Sequence, residues 1–333
     1  MSLRERVGQL LMVDSPSTAV GGATRTAVEA HHVGAVILDG TSTAGVSTTR
    51  DVTDRLRRLA PRDVGLLIAT DQEGGQVQRL QGAGFTRVPS AVAQGALTPS
   101  TLQHDAQQWG DELRRAGVDV DLAPVLDTVP PGTTHNPPIG DLDREYGRHP
   151  DAVSTHGVAV LRGLAAAHVA ATAKHFPGLG RVAGNTDTTA GVTDTATTRN
   201  DAYLAPFRAA VQAHVPFVMM STAIYRQLDP GTPAAFSQPI VTGMLRERLG
   251  FRGVVISDDV GAAKQVARYS PGERAVRFVA AGGDMVLTVD ASQAGEMCDA
   301  LVARATSDKT FRTLVDAAAL RVLQAKQAFG LLR

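Results

Sequence analysis

The sequence predicts an α/β protein built as a closed (β/α)8 barrel, and three observations carry that expectation. Eight short apolar runs recur along 333 residues. Helix-like segments lie between most of them. The runs are apolar throughout instead of alternating, which is the pattern of strands covered by helices on both faces. Eight such strand–helix units over about 250 residues or more is the arithmetic of a parallel barrel. An open doubly wound sheet usually carries a Gly-rich phosphate turn after its first strand, and "VDSPSTAVGGA" does not have that form. Residues 1–333 are therefore read as one barrel domain, with a core of the size such a length can bury.

In chain order the strand runs are "GQLLMVD" (8–14), "GAVILD" (34–39), "GLLIATD" (65–71), "VDVDLAP" (118–124), "VAATAKHF" (169–176), "PFVMMS" (216–221), "GVVISDD" (253–259) and "GDMVLT" (283–288). The helical segment "PSTLQHDAQQWGDELRRAG" opens on Ser and Thr, which cap free amides. It stops at Gly117, which tolerates a left-handed backbone. "QPIVTGMLRERLG" and the terminal "TFRTLVDAAALRVLQAKQAFG" follow the same grammar.

Composition narrows the function classes. Lys and Arg number 33 against 33 Asp and Glu, and aromatics are 4%, so neither a basic stripe nor stacking platforms point to nucleic acid. The single Cys298 excludes an internal disulfide and a cysteine metal cluster. No apolar run approaches the roughly 18 residues of a membrane span. The N-terminal apolar run is short, is closed by Asp14 and lacks a small-residue cleavage site, so the expectation is a cytoplasmic protein.

A barrel places its active site at the C-terminal ends of its strands. Those ends here carry Asp14, Asp39, Asp71, Lys174, His175, Ser221, Asp258 and Asp259. A lone Asp at a strand end is ordinarily a turn former or a helix cap. Lys174 and His175 are different, because they sit inside a strand-end run and cap nothing. Metal chemistry is not expected: HxH and HExxH spacings are missing, and His31-His32 reads as a surface or helix-end pair. The glycine fingerprint of a redox cofactor and the G-x-S-x-G turn of a serine hydrolase are missing too, so no cofactor is expected. What remains is a cluster of carboxylates with several cations, suited to an uncharged polyhydroxylated ligand.

Six ordered motifs make that chemistry specific: "TDQEGGQVQRL" (70–80), "APVLD" (123–127), "NPPIGDLDREYG" (136–147), "KHFPGLG" (174–180), "LRERLGFRGVVISDD" (245–259) and "AGGDMVL" (281–287). With the terminal "RVLQAKQAFGL" they closely resemble family 3 glycoside hydrolases. Within that family they are most similar to the single-domain β-N-acetylglucosaminidases of bacterial cell-wall recycling. The resemblance runs nearly end to end and implies a (β/α)8 barrel acting on terminal β-linked N-acetylglucosamine in muropeptides or chitooligosaccharides. It implies a nucleophile at Asp258, first of the pair in "ISDD", with Asp259 as a supporting or helix-capping neighbour. It assigns sugar hydroxyls to Asp71, Arg79, Lys174 and His175, and to Arg144 after a two-residue insertion.

The stretch "AKHFPGLGRVAGNTDTTAGV" (173–192) departs from that family. Similar members read "KHFPGHG", a short spacer, then "DSH", whose final histidine is the general acid/base. Here Leu179 replaces the first histidine, Thr189 stands where the second belongs, and the spacer is longer. No histidine lies between His175 and His214, so a shifted alignment does not restore the pair. Threonine does not titrate near neutral pH and cannot replace an imidazolium. Three accounts follow. Asp187, or failing it Asp194, acts as the acid/base with a raised pKa. Alternatively the nucleophile works with weakened acid catalysis, on activated leaving groups or with another acceptor such as phosphate. The third is a sugar-binding pseudoenzyme, against which the retained Asp258 argues.

Overall fold

The structure is a computed structural model, and it describes residues 1–332. Eight parallel strands form the barrel: β1 (Leu11–Pro16), β2 (Ala35–Asp39), β3 (Leu67–Thr70), β4 (Val120–Asp121), β5 (Ala170–Phe176), β6 (Phe217–Met220), β7 (Val254–Ser257) and β8 (Val286–Thr288). Their order is β7-β6-β5-β4-β3-β2-β1-β8, so successive strands are neighbours and β8 returns to pair with β1. An isolated bridge between Ile256 and Met285 joins β7 to β8 and closes the ring. A helix follows each strand: α1 (Gly22–His31), α2 (Gly45–Arg57), α3 (Pro99–Arg115), α4 (Pro150–Ala166), α5 (Ala205–Gln212), α6 (Pro239–Arg248), α7 (Pro271–Ala280) and α8 (Ala294–Ser307). The expected (β/α)8 barrel is the observed fold.

The continuous apolar runs make sense in section. Met12, Ile37, Leu67, Ala69, Val120, Leu122, Phe217, Met219, Ile256 and Leu287 fill the barrel interior. Their alternating neighbours, among them Leu11, Val13, Val36, Ile68 and Val255, pack outward under the helices. Both faces are therefore buried, as parallel strands require. Val322 of the last helix, Lys309–Ala328, joins the interior cluster, and Ala325 and the C-cap residue Phe329 pack against it.

Three boundaries differ from the sequence reading. The fourth strand is two residues long instead of seven, because Pro124 has no N–H to donate and the chain leaves the ladder there. Beyond Asp121 it still meets β5, the Ala123 carbonyl accepting the Thr172 amide at 2.7 Å and Val125 bridging to Lys174. The first strand begins at Leu11 because Gly8 ends a short capped helix, Leu3–Gly8. Helix α3 starts one residue earlier than its Ser/Thr signal implied: the Thr98 hydroxyl accepts from the Thr101 amide and Pro99 occupies the first turn.

Short elements beyond the barrel shape its mouth. A hairpin, Gln72–Gly74 with Val77–Gln78, follows β3. Thr193–Asp194, Ile224–Tyr225 and Asp229–Pro233 form a small sheet that anchors the far end of the long loop after β5. No helix among the described residues is long and apolar enough to cross a membrane.

Candidate active site

A cavity of about 380 Å³ opens at the C-terminal ends of the strands. That size falls within the roughly 300–1,000 Å³ of ligand pockets. Asp71, Arg79, Arg144, Lys174, His175, Asp187 and Asp258 line it, whereas Asp14 and Ser221, also named at strand ends, do not. Among its apolar walls, Ile37, Leu122, Met219 and Leu287 are continuous with the barrel interior.

The floor is a charge network. Lys174, at the end of β5 and 2% exposed, donates to Asp71 Oδ1 at 2.6 Å and lies 2.6 Å from Glu73 Oε1. Arg144 grips the same Glu73 with two nitrogens, Nε to Oε2 at 2.8 Å and Nη2 to Oε1 at 2.7 Å. Burial alone would raise the Glu73 carboxyl; Arg144 and Lys174 outweigh it and hold it at about 2. Burial likewise disfavours the Lys174 ammonium, but Asp71 and Glu73 overcome this and raise it. Glu73 therefore fixes two cations at once, leaving their outer N–H groups to face the cavity. It is presented by the hairpin after β3, where Gly74 is required: a Cβ there would sit 2.2 Å from the Pro89 carbonyl.

The second wall is built around Asp127. It is fully buried and its Oδ2 lies 2.7 Å from His175 Nδ1, while its Oδ1 accepts the Leu179 amide at 2.7 Å. This pairing fixes the imidazole plane and leaves the other ring nitrogen for the cavity. Neither Glu73 nor Asp127 was selected from the sequence. Both lay inside the quoted motifs, "TDQEGG" and "APVLD", but no local spacing marked them as partners of Arg144, Lys174 and His175.

Asp258 follows β7, half-buried, with its Oδ1 accepting the Asp259 amide at 2.9 Å. Burial pushes its carboxyl up to about 6, with Asp187 adding to the rise and His175 opposing it. Asp259 has the expected capping role. It accepts the amides of Gly261, Ala262, Ala263 and Val289 at 2.8–3.2 Å. Arg79 reaches the cavity from the hairpin, 3.9 Å from Asp39.

The loop after β5 supplies the remaining wall. Leu179, Asn185, Thr186 and Asp187 line the cavity, with Asp187 exposed at its rim. Its carboxyl is raised by partial desolvation and by Asp259 and Asp71, against the pull of His175 and Arg144. Gly180 lets the loop run close to the chain after β4; a Cβ there would meet the Thr128 carbonyl at 1.9 Å. Thr189 does not line the cavity and is exposed, its amide donating to the Asn185 carbonyl at 2.9 Å. Asp194 is also outside: it is buried and accepts from the Ala196 and Thr197 amides and the Thr197 hydroxyl, each at 2.7 Å. Of the two carboxylates considered for proton transfer, only Asp187 faces the cavity.

Comparison with known proteins agrees with this architecture. Residues 2–325 match the family described as glycosyl hydrolase family 3 N terminal domain. A β-hexosaminidase of Stenotrophomonas maltophilia is 31% identical over 319 residues, covering 93% of this chain and 92% of the relative. One from Nitrosomonas eutropha is 34% identical over 304 residues, covering 87% and 84%. Among solved structures, a β-N-acetylhexosaminidase from Beutenbergia cavernae superposes with a TM-score of 0.97 at 49% identity, covering 98% of this chain and 99% of that one. A family 3 β-N-acetylglucosaminidase from a Paenibacillus species gives 0.91 at 32% identity, covering 99% and 63%.

Proposed function

The chain belongs to glycosyl hydrolase family 3, a family of glycosidases, and from that premise we propose that it is a retaining β-N-acetylhexosaminidase. Its substrates are fragments of cell wall or chitin that end in β-linked N-acetylglucosamine. The observation that carries the reading is the meeting of Asp258 and Asp187 at one cavity whose other polar walls suit sugar hydroxyls.

Asp258, ionised, attacks the anomeric carbon and forms a glycosyl–enzyme. Asp187, protonated, gives its proton to the departing glycosidic oxygen. It then takes a proton from the water that hydrolyses the intermediate, so the product keeps its β configuration. Asp71, Arg79, Arg144, Lys174 and His175 hold the sugar hydroxyls. A raised carboxyl pKa is what an acid needs near neutral pH, and both burial and neighbouring carboxylates push Asp187 in that direction.

Water is the favoured acceptor. Once Asp258 is esterified, four carboxylates line the cavity (Asp39, Asp71, Asp187 and Asp259) against the fixed cations Arg79, Arg144 and Lys174. Two of those cations are already neutralised by Glu73 and Asp71. Such a field repels a phosphate dianion.

A screen of nitrophenyl glycosides tests the sugar, and trapping with a 2-fluoro sugar tests the nucleophile. The trapped label should reside on the peptide containing Asp258, and Asp258→Asn should abolish turnover while the fold persists. Wild-type-like hydrolysis by Asp258→Asn rejects the mechanism. Tight N-acetylglucosamine binding without turnover by the wild type supports a sugar-binding protein instead.

A further inference from the structure

The loop bearing Asp187 is fastened to the segment that follows Asp258 by a bridge that the reaction scheme does not use. The bridge starts at Asp259, whose carboxylate takes the amides of Gly261, Ala262 and Ala263 and so fixes that segment to the end of β7. The next turn, Lys264–Val266, turns its amides toward the loop. Lys264 N–H donates to the Asp187 carbonyl at 3.1 Å and Gln265 N–H to the Thr186 carbonyl at 3.0 Å. The Gln265 side chain then completes the joint. It is 6% exposed, its Oε1 accepts the Val192 amide at 2.9 Å, and its Nε2 donates to the Val192 carbonyl at 3.1 Å. Gln265 does not line the cavity.

A primary amide is suited to this place. It offers one acceptor and one donor to the N–H and C=O of a single residue, as a neighbouring strand does. Within the loop, the Asp187 amide donates to Asn185 Oδ1 at 2.9 Å, which sets the local turn. The path from Asp258 through Asp259, the capped segment and Gln265 to Asp187 is thus short and hydrogen-bonded at every step.

We propose that Gln265 is a positioning residue that clamps the Asp187 loop against the post-β7 segment, so that the proton donor stands at the cavity before substrate arrives. The proposal rests on Asp187 being the acid/base. A donor misplaced by about 1 Å can cost on the order of 10²-fold in rate, and the clamp acts on that term alone. Nucleophilic attack is untouched, because Asp258 is held by its own strand and by the Asp259 amide.

The test compares kcat/KM for chitobiose, a poor leaving group, with that for a dinitrophenyl N-acetylglucosaminide, which needs no protonation. Gln265→Ala should lower the first by on the order of 10²-fold and leave the second unchanged. Gln265→Glu keeps the acceptor and loses the donor, so its loss should be intermediate; it also carries the test should Gln265→Ala fail to fold. In the Asp187→Ala background, Gln265→Ala should cost nothing further. Backbone amide exchange should quicken at Val192 and not in β7. Equal losses on both substrates, or additive losses with Asp187→Ala, overturn the clamp. If Asp187→Ala shows leaving-group dependence and neither Gln265 variant does, the clamp alone falls. If Asp187→Ala shows none, the acid assignment falls and takes the clamp with it.

Discussion

Asp258 and Asp187 do not titrate independently. Asp187 pushes the Asp258 carboxyl upward, burial pushes it further, and His175 opposes both, which leaves Asp258 at about 6. Any pH profile therefore reports the pair. The nucleophile must be ionised, so activity on an activated aryl glycoside should fall as pH drops through about 6. Asp187→Asn keeps the size of the side chain and removes the charge Asp187 carries when the proton of the pair sits on Asp258, taking away one cause of the rise. The acid limb should then move to lower pH, measured as kcat/KM across pH 4–8, roughly the span in which a perturbed carboxyl titrates. A limb that stays, or moves up, contradicts the coupling. Asp187→Ala should slow chitobiose hydrolysis by about 10²–10⁴-fold and aryl glycosides far less, with azide partly restoring turnover. Uniform loss on both substrates removes Asp187 as the acid.

The long loop after β5 is the element on which this chain departs from its family's pattern, and its geometry decides what a reversion can do. Thr189 is exposed, outside the cavity, with its amide tied to Asn185. Thr189→His therefore adds an imidazole in solvent, and the expected gain on chitobiose is negligible. A gain of tenfold or more, seen in the same assay, indicates that the loop also visits a conformation bringing position 189 inward. The loop also marks how far sequence reasoning reaches. Strand ends such as "AKHF" and "ISDD" were legible because apolar runs terminating in charge have one interpretation in a barrel. Asp187 was legible through its place in a motif. Glu73 and Asp127 were not, since their partners Arg144 and His175 lie 71 and 48 residues away. Such pairings are created by ring closure and leave no local spacing. Gln265 was invisible for the same reason, 73 residues from Val192. The short fourth strand was a local misreading, because Pro124 was counted as a regular strand residue although it has no N–H and meets β5 only through its carbonyl, which accepts the Lys174 amide at 3.2 Å.

At the scale of the whole barrel, the charge network under the cavity ties the site to stability through pH. Beneath Lys174, at the end of β4, Asp121 is 3% exposed and its Oδ1 accepts the Gln72 amide at 3.0 Å. Burial pushes its carboxyl to about 7, the Gln72 amide and Lys174 oppose the rise, and Asp71 and Glu73 add to it. Its ordinary value is 3.8, so the unfolded chain ionises first. A group raised in the folded state contributes fully below that ordinary value and loses its contribution as pH climbs through 7. Glu73 behaves oppositely: held at about 2 against an ordinary 4.5, it stabilises above 4.5 and loses that effect as pH falls toward 2. These two groups together place their joint stability optimum between the two ordinary values, 3.8 and 4.5. Asp121→Asn keeps an acceptor for the Gln72 amide and cannot ionise, so it should raise the thermal midpoint at pH 8 by a few degrees. The gain over wild type should shrink as pH is lowered and vanish below 3.8, where the native Asp121 carboxyl is neutral in both states. Thermal unfolding of the two proteins at each pH measures it, and a gain independent of pH, or a loss at pH 8, shows that the folded barrel does not raise the Asp121 carboxyl and that Lys174 compensates its charge.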